Sequence, residues 1–133
     1  KRIFICCDET WQNAIGTNRP LTNVAGFVCS ITPTDADGIM QIVYYASGIG
    51  SKPDNTTEMP NTGSSIAGNI LNAYYFLCLN YNFRDRKDEI VLVGFSHGAY
   101  TVRCLASFIS CVGLIRRKTL AFLPELFKGW KDE

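Results

Sequence analysis

The sequence predicts an α/β fold of three layers, in which helices cover both faces of a mainly parallel sheet. Three runs of five or six residues are almost continuously apolar, at positions 2–7, 41–45 and 89–94. Runs of this length are typical of strands that are buried on both faces of a parallel sheet. A segment with apolar residues three and four positions apart follows each run. This alternation of strand and helix is typical of α/β proteins.

The first half of the chain supplies two strands and one helix. Arg2–Cys7 is the first predicted strand, and it ends at Asp8. After a polar loop, Thr22 or Asn23 caps a helix that ends before Pro33. The apolar residues of this helix are Val24, Phe27, Val28 and Ile31. The second strand, at residues 41–45, is closed by Gly48-Ile49-Gly50.

The second half supplies the third strand and the remaining helices. Residues 51–63 are rich in Asn, Thr, Pro and Gly and have no period, which predicts a surface loop. A helix is expected from Ser64 to about Asn80, because its apolar residues recur at helical spacing. The third strand, residues 89–94, leads directly into another helix. A final short helix is expected at residues 119–130, with Pro124 disturbing its first turn.

Length, composition and charge exclude several classes of protein. A chain of 133 residues suits one compact core, so we expect residues 1–133 to form a single domain. With 47% hydrophobic and 19% charged residues it has a globular composition. Its apolar runs stop well short of the roughly 20 residues of a transmembrane helix. A net charge of +1 does not indicate a nucleic-acid partner, and we interpret Arg116-Arg117-Lys118 as a solvated helix end.

The six cysteines point to a reduced environment. They lie inside apolar segments and form no C-x-x-C pair. This pattern predicts buried thiols rather than a disulfide framework or a zinc site. We therefore expect an intracellular, cytoplasmic protein with neither a metal nor another cofactor.

The most informative motif is Gly94-Phe95-Ser96-His97-Gly98, which follows the third strand. This G-x-S-x-G pattern at a strand-to-helix junction is typical of a nucleophile elbow. It predicts that Ser96 is a catalytic nucleophile, with Gly94 and Gly98 kept small because strand and helix pass close together. The alternative is an ordinary turn in which Ser96 only caps the following helix.

His97 has two separate features to consider. Its backbone N–H lies at the positive end of the predicted helix and is a candidate oxyanion donor. Its imidazole is the one histidine side chain in the sequence. On an elbow, however, the residue after the serine diverges from the hydroxyl, so we expect the His97 side chain to be packed or exposed rather than to act as the base.

Several blocks of sequence together resemble a known family. They are "FICCDETWQN", "TNVAGFV", "QIVYYASGIGS", "NILNAYYFLCLNY" and "DEIVLVGFSHGAYTVRCLASFISCVGLI". In this order they resemble the α/β-hydrolase domain of uncharacterised fungal and bacterial proteins, which is also found in phospholipase effectors of type VI secretion. The resemblance implies a partial α/β-hydrolase fold and a serine hydrolase that acts on esters, including lipids, through Ser96.

The resemblance also gives a role to the loop after the first strand. Where the family pattern has Asp-Gly-Thr-Trp, this chain has Asp8-Glu9-Thr10-Trp11. The loop implies a second oxyanion donor, the backbone N–H of Glu9 or Thr10. Asp8 either orients the loop by accepting backbone N–H bonds or belongs to the active site itself.

The catalytic base is not identifiable in residues 1–133. In hydrolases of this fold the acid and the histidine follow the serine, yet no histidine follows His97. Two readings stay open: a triad completed outside these residues, or a non-catalytic hydrolase fold kept for binding or assembly. In the second, an exposed sheet edge is expected to support a homodimer. A phosphoryl-transfer role for Asp8 would need a downstream lysine and acidic pair that the sequence does not offer.

Overall fold

A parallel sheet of three strands forms the centre of the protein. The computed structural model describes residues 1–8, 21–47, 65–84 and 87–133. The strands are β1 (Arg2–Cys7), β2 (Gln41–Ala46) and β3 (Glu89–Gly94), in the order β2-β1-β3. Cys7 at the end of β1 lies opposite the last residues of both neighbouring strands. The predicted α/β fold with a parallel sheet is confirmed, and the carboxyl ends of the strands meet at one edge.

Helices connect the strands and follow the last of them. They are α1 (Asn23–Ser30), α2 (Ile66–Asn80), α3 (His97–Val112), a 3-10 helix (Arg117–Phe122) and α4 (Leu123–Lys131). Thr22 caps α1 by accepting a hydrogen bond from the Ala25 N–H at 3.0 Å. Of the two residues predicted as caps, Thr22 is therefore the one that the structure shows.

Alternating residues of β1 divide the core between the two faces of the sheet. Ile3, Ile5 and Cys7 face α2, α3 and α4, and they belong to the larger buried cluster. Phe4 and Cys6 face the other way and pack with Val24 of α1. Because both faces of β1 are covered, the three predicted layers are present and β1 is buried at their centre.

The last helix differs from its prediction. One helix was expected at residues 119–130, but the structure has a 3-10 helix up to Phe122 and then α4. Pro124 explains the division, because proline has no N–H to donate and fits only the first turn of an α-helix. The α-helix therefore begins at Leu123, immediately before the proline.

The prediction that all six cysteines are buried is wrong for part of the set. All six are free thiols; Cys6, Cys7 and Cys78 are buried, whereas Cys29 and Cys111 are exposed. The two exposed thiols lie near the carboxyl ends of α1 and α3. An apolar sequence context therefore did not reveal which side of a helix each cysteine occupies.

No single helix in the described ranges has both the length and the hydropathy needed to cross a membrane. The helix α3 and the segment Arg117–Lys131 reach that length only as a pair, and they are bent relative to each other by 107°.

Candidate active site

The turn between β3 and α3 has an unusual backbone at Ser96. Ser96 has φ 56° and ψ −120°, and in the described part of the chain it is the one residue other than glycine with a positive φ. This region is sparsely populated by residues that carry a Cβ. The following residue, His97, already begins α3. The chain thus reverses from strand to helix within two residues of Gly94, and Ser96 lies at the apex.

The two glycines of the motif are required by close backbone contacts. A Cβ on Gly94 would lie 2.5 Å from the carbonyl oxygen of Gly98. A Cβ on Gly98 would lie 2.1 Å from the carbonyl oxygen of Cys7. The Phe95 N–H also donates to this Cys7 carbonyl at 3.3 Å. Neither glycine position can hold a side chain without movement of the backbone, so β1, β3 and α3 are tightly joined around Ser96.

The Ser96 hydroxyl does not serve as a helix cap. Ser96 occupies the N-cap position of α3 but makes no side-chain capping hydrogen bond. By contrast, Thr22 and Ser65, at the same position of α1 and α2, each accept a backbone N–H at 3.0 Å. Ser96 is also exposed. The capping interpretation of this serine is therefore wrong, and its hydroxyl is available to a ligand.

The His97 side chain is exposed at the start of α3. This agrees with the expectation that it is a packed or exposed imidazole. Its backbone N–H belongs to the first turn of α3, where N–H groups have no partner four residues earlier in the helix. The geometry of the turn therefore leaves a helix N-terminus beside the Ser96 hydroxyl, and the partial positive charge there favours an anion.

Asp8 lies buried at the end of β1, with 2% of its surface exposed. Its Oδ2 accepts hydrogen bonds from the Thr22 and Tyr45 hydroxyls, both at 2.5 Å. Burial raises the pKa of the Tyr45 phenol, and the neighbouring Asp8 carboxylate raises it further. The backbone of Asp8 is close to α3, because its carbonyl oxygen would lie 2.7 Å from a Cβ on Gly98. The carboxylate is thus held firmly at the carboxyl end of β1.

The sequence located some of these residues and missed others. The structure brings Asp8, Gly94, Ser96, His97 and Gly98 to one edge of the sheet. Glu9 and Thr10, the expected second oxyanion donors, and the loop 48–51 lie outside the described residues. Tyr45 was not singled out, and Thr22 was expected only as a cap. Tyr45 has a hydroxyl near the end of a strand, and Thr22 has one at a helix cap. The sequence alone does not show that both hydroxyls lie beside Asp8.

An apolar cavity of about 470 Å³ lies along the first turns of α3. Tyr100 lies one turn after Ser96, to whose carbonyl oxygen it donates its N–H at 3.2 Å. The residues that line the cavity come from α2, α3 and α4, and they are Ile66, Ala67, Ile70, Tyr100, Cys104, Phe127, Trp130 and Lys131.

Comparison with known proteins identifies a family that this chain matches. The model of the catalytic domain of Tle1-like phospholipase effectors of type VI secretion matches residues 1–133. An uncharacterised protein of Saccharomyces cerevisiae is 31% identical over 149 aligned positions, which cover 98% of this chain and 21% of that protein. No solved structure matches. The chain therefore spans about a fifth of the length of the curated relative that it matches.

Proposed function

The chain belongs to the family of Tle1-like phospholipase effector catalytic domains, and from this premise we propose that it is a serine hydrolase in which Ser96 attacks the ester bond of a lipid. The described sheet and helices are, in this proposal, the N-terminal part of an α/β-hydrolase fold. Phospholipase-type hydrolysis is the activity that the family name indicates.

The conformation of Ser96 is the observation that carries the proposal. A left-handed serine at a strand-to-helix turn, between glycines that leave no room for a Cβ, is the arrangement that a nucleophile elbow requires. Backbone strain of this kind persists only where the surrounding structure enforces it, and it clusters at functional sites. The exposed hydroxyl and the absence of a capping bond are consistent with this role.

The proposed reaction follows from the position of the turn. The Ser96 Oγ attacks the carbonyl carbon of the ester while a base takes its proton. The carbonyl oxygen, which becomes negatively charged, accepts hydrogen bonds from the His97 N–H and from the N–H of Glu9 or Thr10. The alcohol then leaves with a proton, and water hydrolyses the acyl group from Ser96.

The base and the acid of this reaction belong, in the proposal, to residues outside 1–133. The exposed His97 imidazole lies on the residue directly after the nucleophile, where we expect it to diverge from the hydroxyl. Without a positioned base the serine stays a poorly activated alcohol, because the pKa of its hydroxyl is far above neutrality. Donors to the oxyanion alone support only a small residual rate.

A fluorophosphonate probe tests the nucleophile directly. In a longer form of the protein that includes the base, the probe should label Ser96, and the Ser96→Ala variant of that form should lose the label. Ser110→Ala is the matched control, since Ser110 is an exposed serine on the same helix. Labelling that persists in Ser96→Ala, or that is lost equally in Ser110→Ala, would contradict the assignment of Ser96.

Comparing the longer form with residues 1–133 alone locates the base. Clear labelling of the longer form and none of residues 1–133 is the expected result. Phospholipid vesicles should then release fatty acid with the longer form, and the Ser96→Ala variant should release none. If neither form is labelled, the non-catalytic alternative of binding or assembly replaces the proposal.

A further inference from the structure

We propose that a second site, at the end of the molecule opposite to Ser96, binds a phosphate-bearing ligand. The site is a cavity of about 660 Å³ between the turn after α2 and the segment after α3. Four basic residues converge on it. They are Arg84, Arg116, Arg117 and Lys118, and the rings of Tyr81 and Phe83 are among the described residues that line the same cavity. This inference does not depend on the proposed hydrolase activity.

Two of the arginines are held in place by neighbouring groups. The Arg116 guanidinium lies over the ring of Phe83, with its central carbon 4.9 Å from the ring centroid. The Arg117 Nε donates to the carbonyl oxygen of Leu79 at 3.1 Å, and its Nη2 donates to the same oxygen. Packing and hydrogen bonds of this kind reduce the conformational freedom that a ligand would otherwise have to remove. The guanidinium groups are therefore partly preorganised.

The positive charge of the cavity is not neutralised by the described residues that line it. None of the described lining residues is acidic, and the ion pairs in the described ranges involve Lys1 and Arg2 rather than any of these four cations. Among the described residues, the nearest buried carboxylate in sequence is that of Asp88, which accepts from the Lys1 ammonium and from the Asn82 N–H at 2.7 Å. Its charge is thus balanced by the Lys1 ammonium.

Guanidinium groups pair well with oxyanions such as phosphate. Their planar fork of N–H donors matches two phosphate oxygens at once, whereas an ammonium acts as a point charge. A cavity with three arginines and one lysine suits a group that carries more than one negative charge. The aromatic rings of Tyr81 and Phe83, whose centroids are 5.0 Å apart, line the apolar side of the same cavity.

The cavity lies far from the Ser96 turn. Helix α3 begins next to Ser96 and has 16 residues, so its length of about 24 Å separates the two ends. Arg116 follows the far end of this helix. A ligand in the basic cavity therefore cannot also contact the Ser96 hydroxyl unless it spans that distance, and the cavity is a separate binding site.

Titration calorimetry with pyrophosphate tests the site. Pyrophosphate should bind the protein, and Arg116→Gln should weaken binding by roughly tenfold, the effect of losing one charged hydrogen-bonding partner. Arg84→Gln should weaken it in the same direction. Lys128→Gln is the control, because it removes an exposed positive charge of α4 that is not part of the cavity. Thermal unfolding of each variant separates loss of binding from loss of fold.

Vesicles identify the source of the phosphate. Binding of pyrophosphate points to a soluble phosphate ester. Binding only to vesicles of phosphatidylglycerol, with loss in Arg116→Gln, points to a lipid headgroup and supports the same site chemistry. The proposal is overturned if the folded protein binds neither probe, or if Lys128→Gln weakens binding as much as Arg116→Gln does.

Discussion

Ser96 combines a strained backbone with a hydroxyl that stabilises no helix end. A residue in this part of conformational space costs about 1–3 kcal/mol relative to an ordinary conformation. The contacts of Gly94 and Gly98 with neighbouring backbone hold Ser96 in place. Since the Ser96 side chain makes no capping bond that would offset the cost, the strain supports a functional role for this serine.

Gly98 gives the clearest test of the tight junction around Ser96. Gly98→Ala should destabilise the protein by about 3 kcal/mol or more, because the new methyl group would meet the Cys7 carbonyl at 2.1 Å. Urea unfolding measures the change. The control is Gly26→Ala in α1, where nothing lies within 4 Å and helix propensity predicts a gain of about 1 kcal/mol. Equal unfolding midpoints for the two variants would rule out the close contact.

At the scale of elements, β2 and α1 meet at Asp8. The cap of α1 uses Thr22, whose hydroxyl accepts from Ala25 and donates to Asp8. Tyr45 reaches the same carboxylate from β2. One buried oxygen therefore fixes the start of a helix and the end of a strand relative to β1.

Removing the Tyr45 hydroxyl should loosen this connection. Tyr45→Phe leaves the ring but takes one donor from a buried carboxylate, so the free energy of unfolding should fall by about 1–3 kcal/mol. Chemical denaturation measures the fall. Tyr75→Phe is the control, because Tyr75 is 49% exposed on α2. A loss no larger than that of the control would show that the Tyr45 bond does not hold the elements together.

At the scale of the whole molecule, Asp88 makes one contribution to the dependence of stability on pH. Burial alone would raise the pKa of this carboxyl, but hydrogen bonds from Lys1 and the Asn82 N–H outweigh burial, and the pKa is lowered. A lowered folded-state pKa adds stability above the ordinary value of about 3.9, and that stability is lost as the pH falls through the folded-state pKa. Asp88→Asn should therefore lower the melting temperature at pH 7 and flatten its decline in acid. If the melting temperature of Asp88→Asn falls in acid as steeply as that of the unchanged protein, other groups cause the acid sensitivity.

The layers of the fold and the position of Ser96 at a strand-to-helix turn could be predicted from the sequence. Continuous apolar runs predict buried parallel strands, and a glycine on each side of a serine predicts a tight turn, because both signals are local. The contacts of Asp8 with Thr22 and Tyr45 could not be predicted, since they join residues 14 and 37 positions apart. The basic cavity was missed for the same reason: Arg84 and Arg116 become neighbours only through the packing of α2 beside α3.

The central position of β1 has a consequence for how the chain reaches its native state. β1 pairs with β2 and with β3, and the second pairing joins Arg2 to Glu89. The first of these three strands to be synthesised therefore gains its second neighbour only after the third strand has been made. Pairings so distant along the chain give a high contact order, which slows folding and prolongs the exposure of apolar strands. Nascent chains that stop before β3 should therefore depend on chaperones.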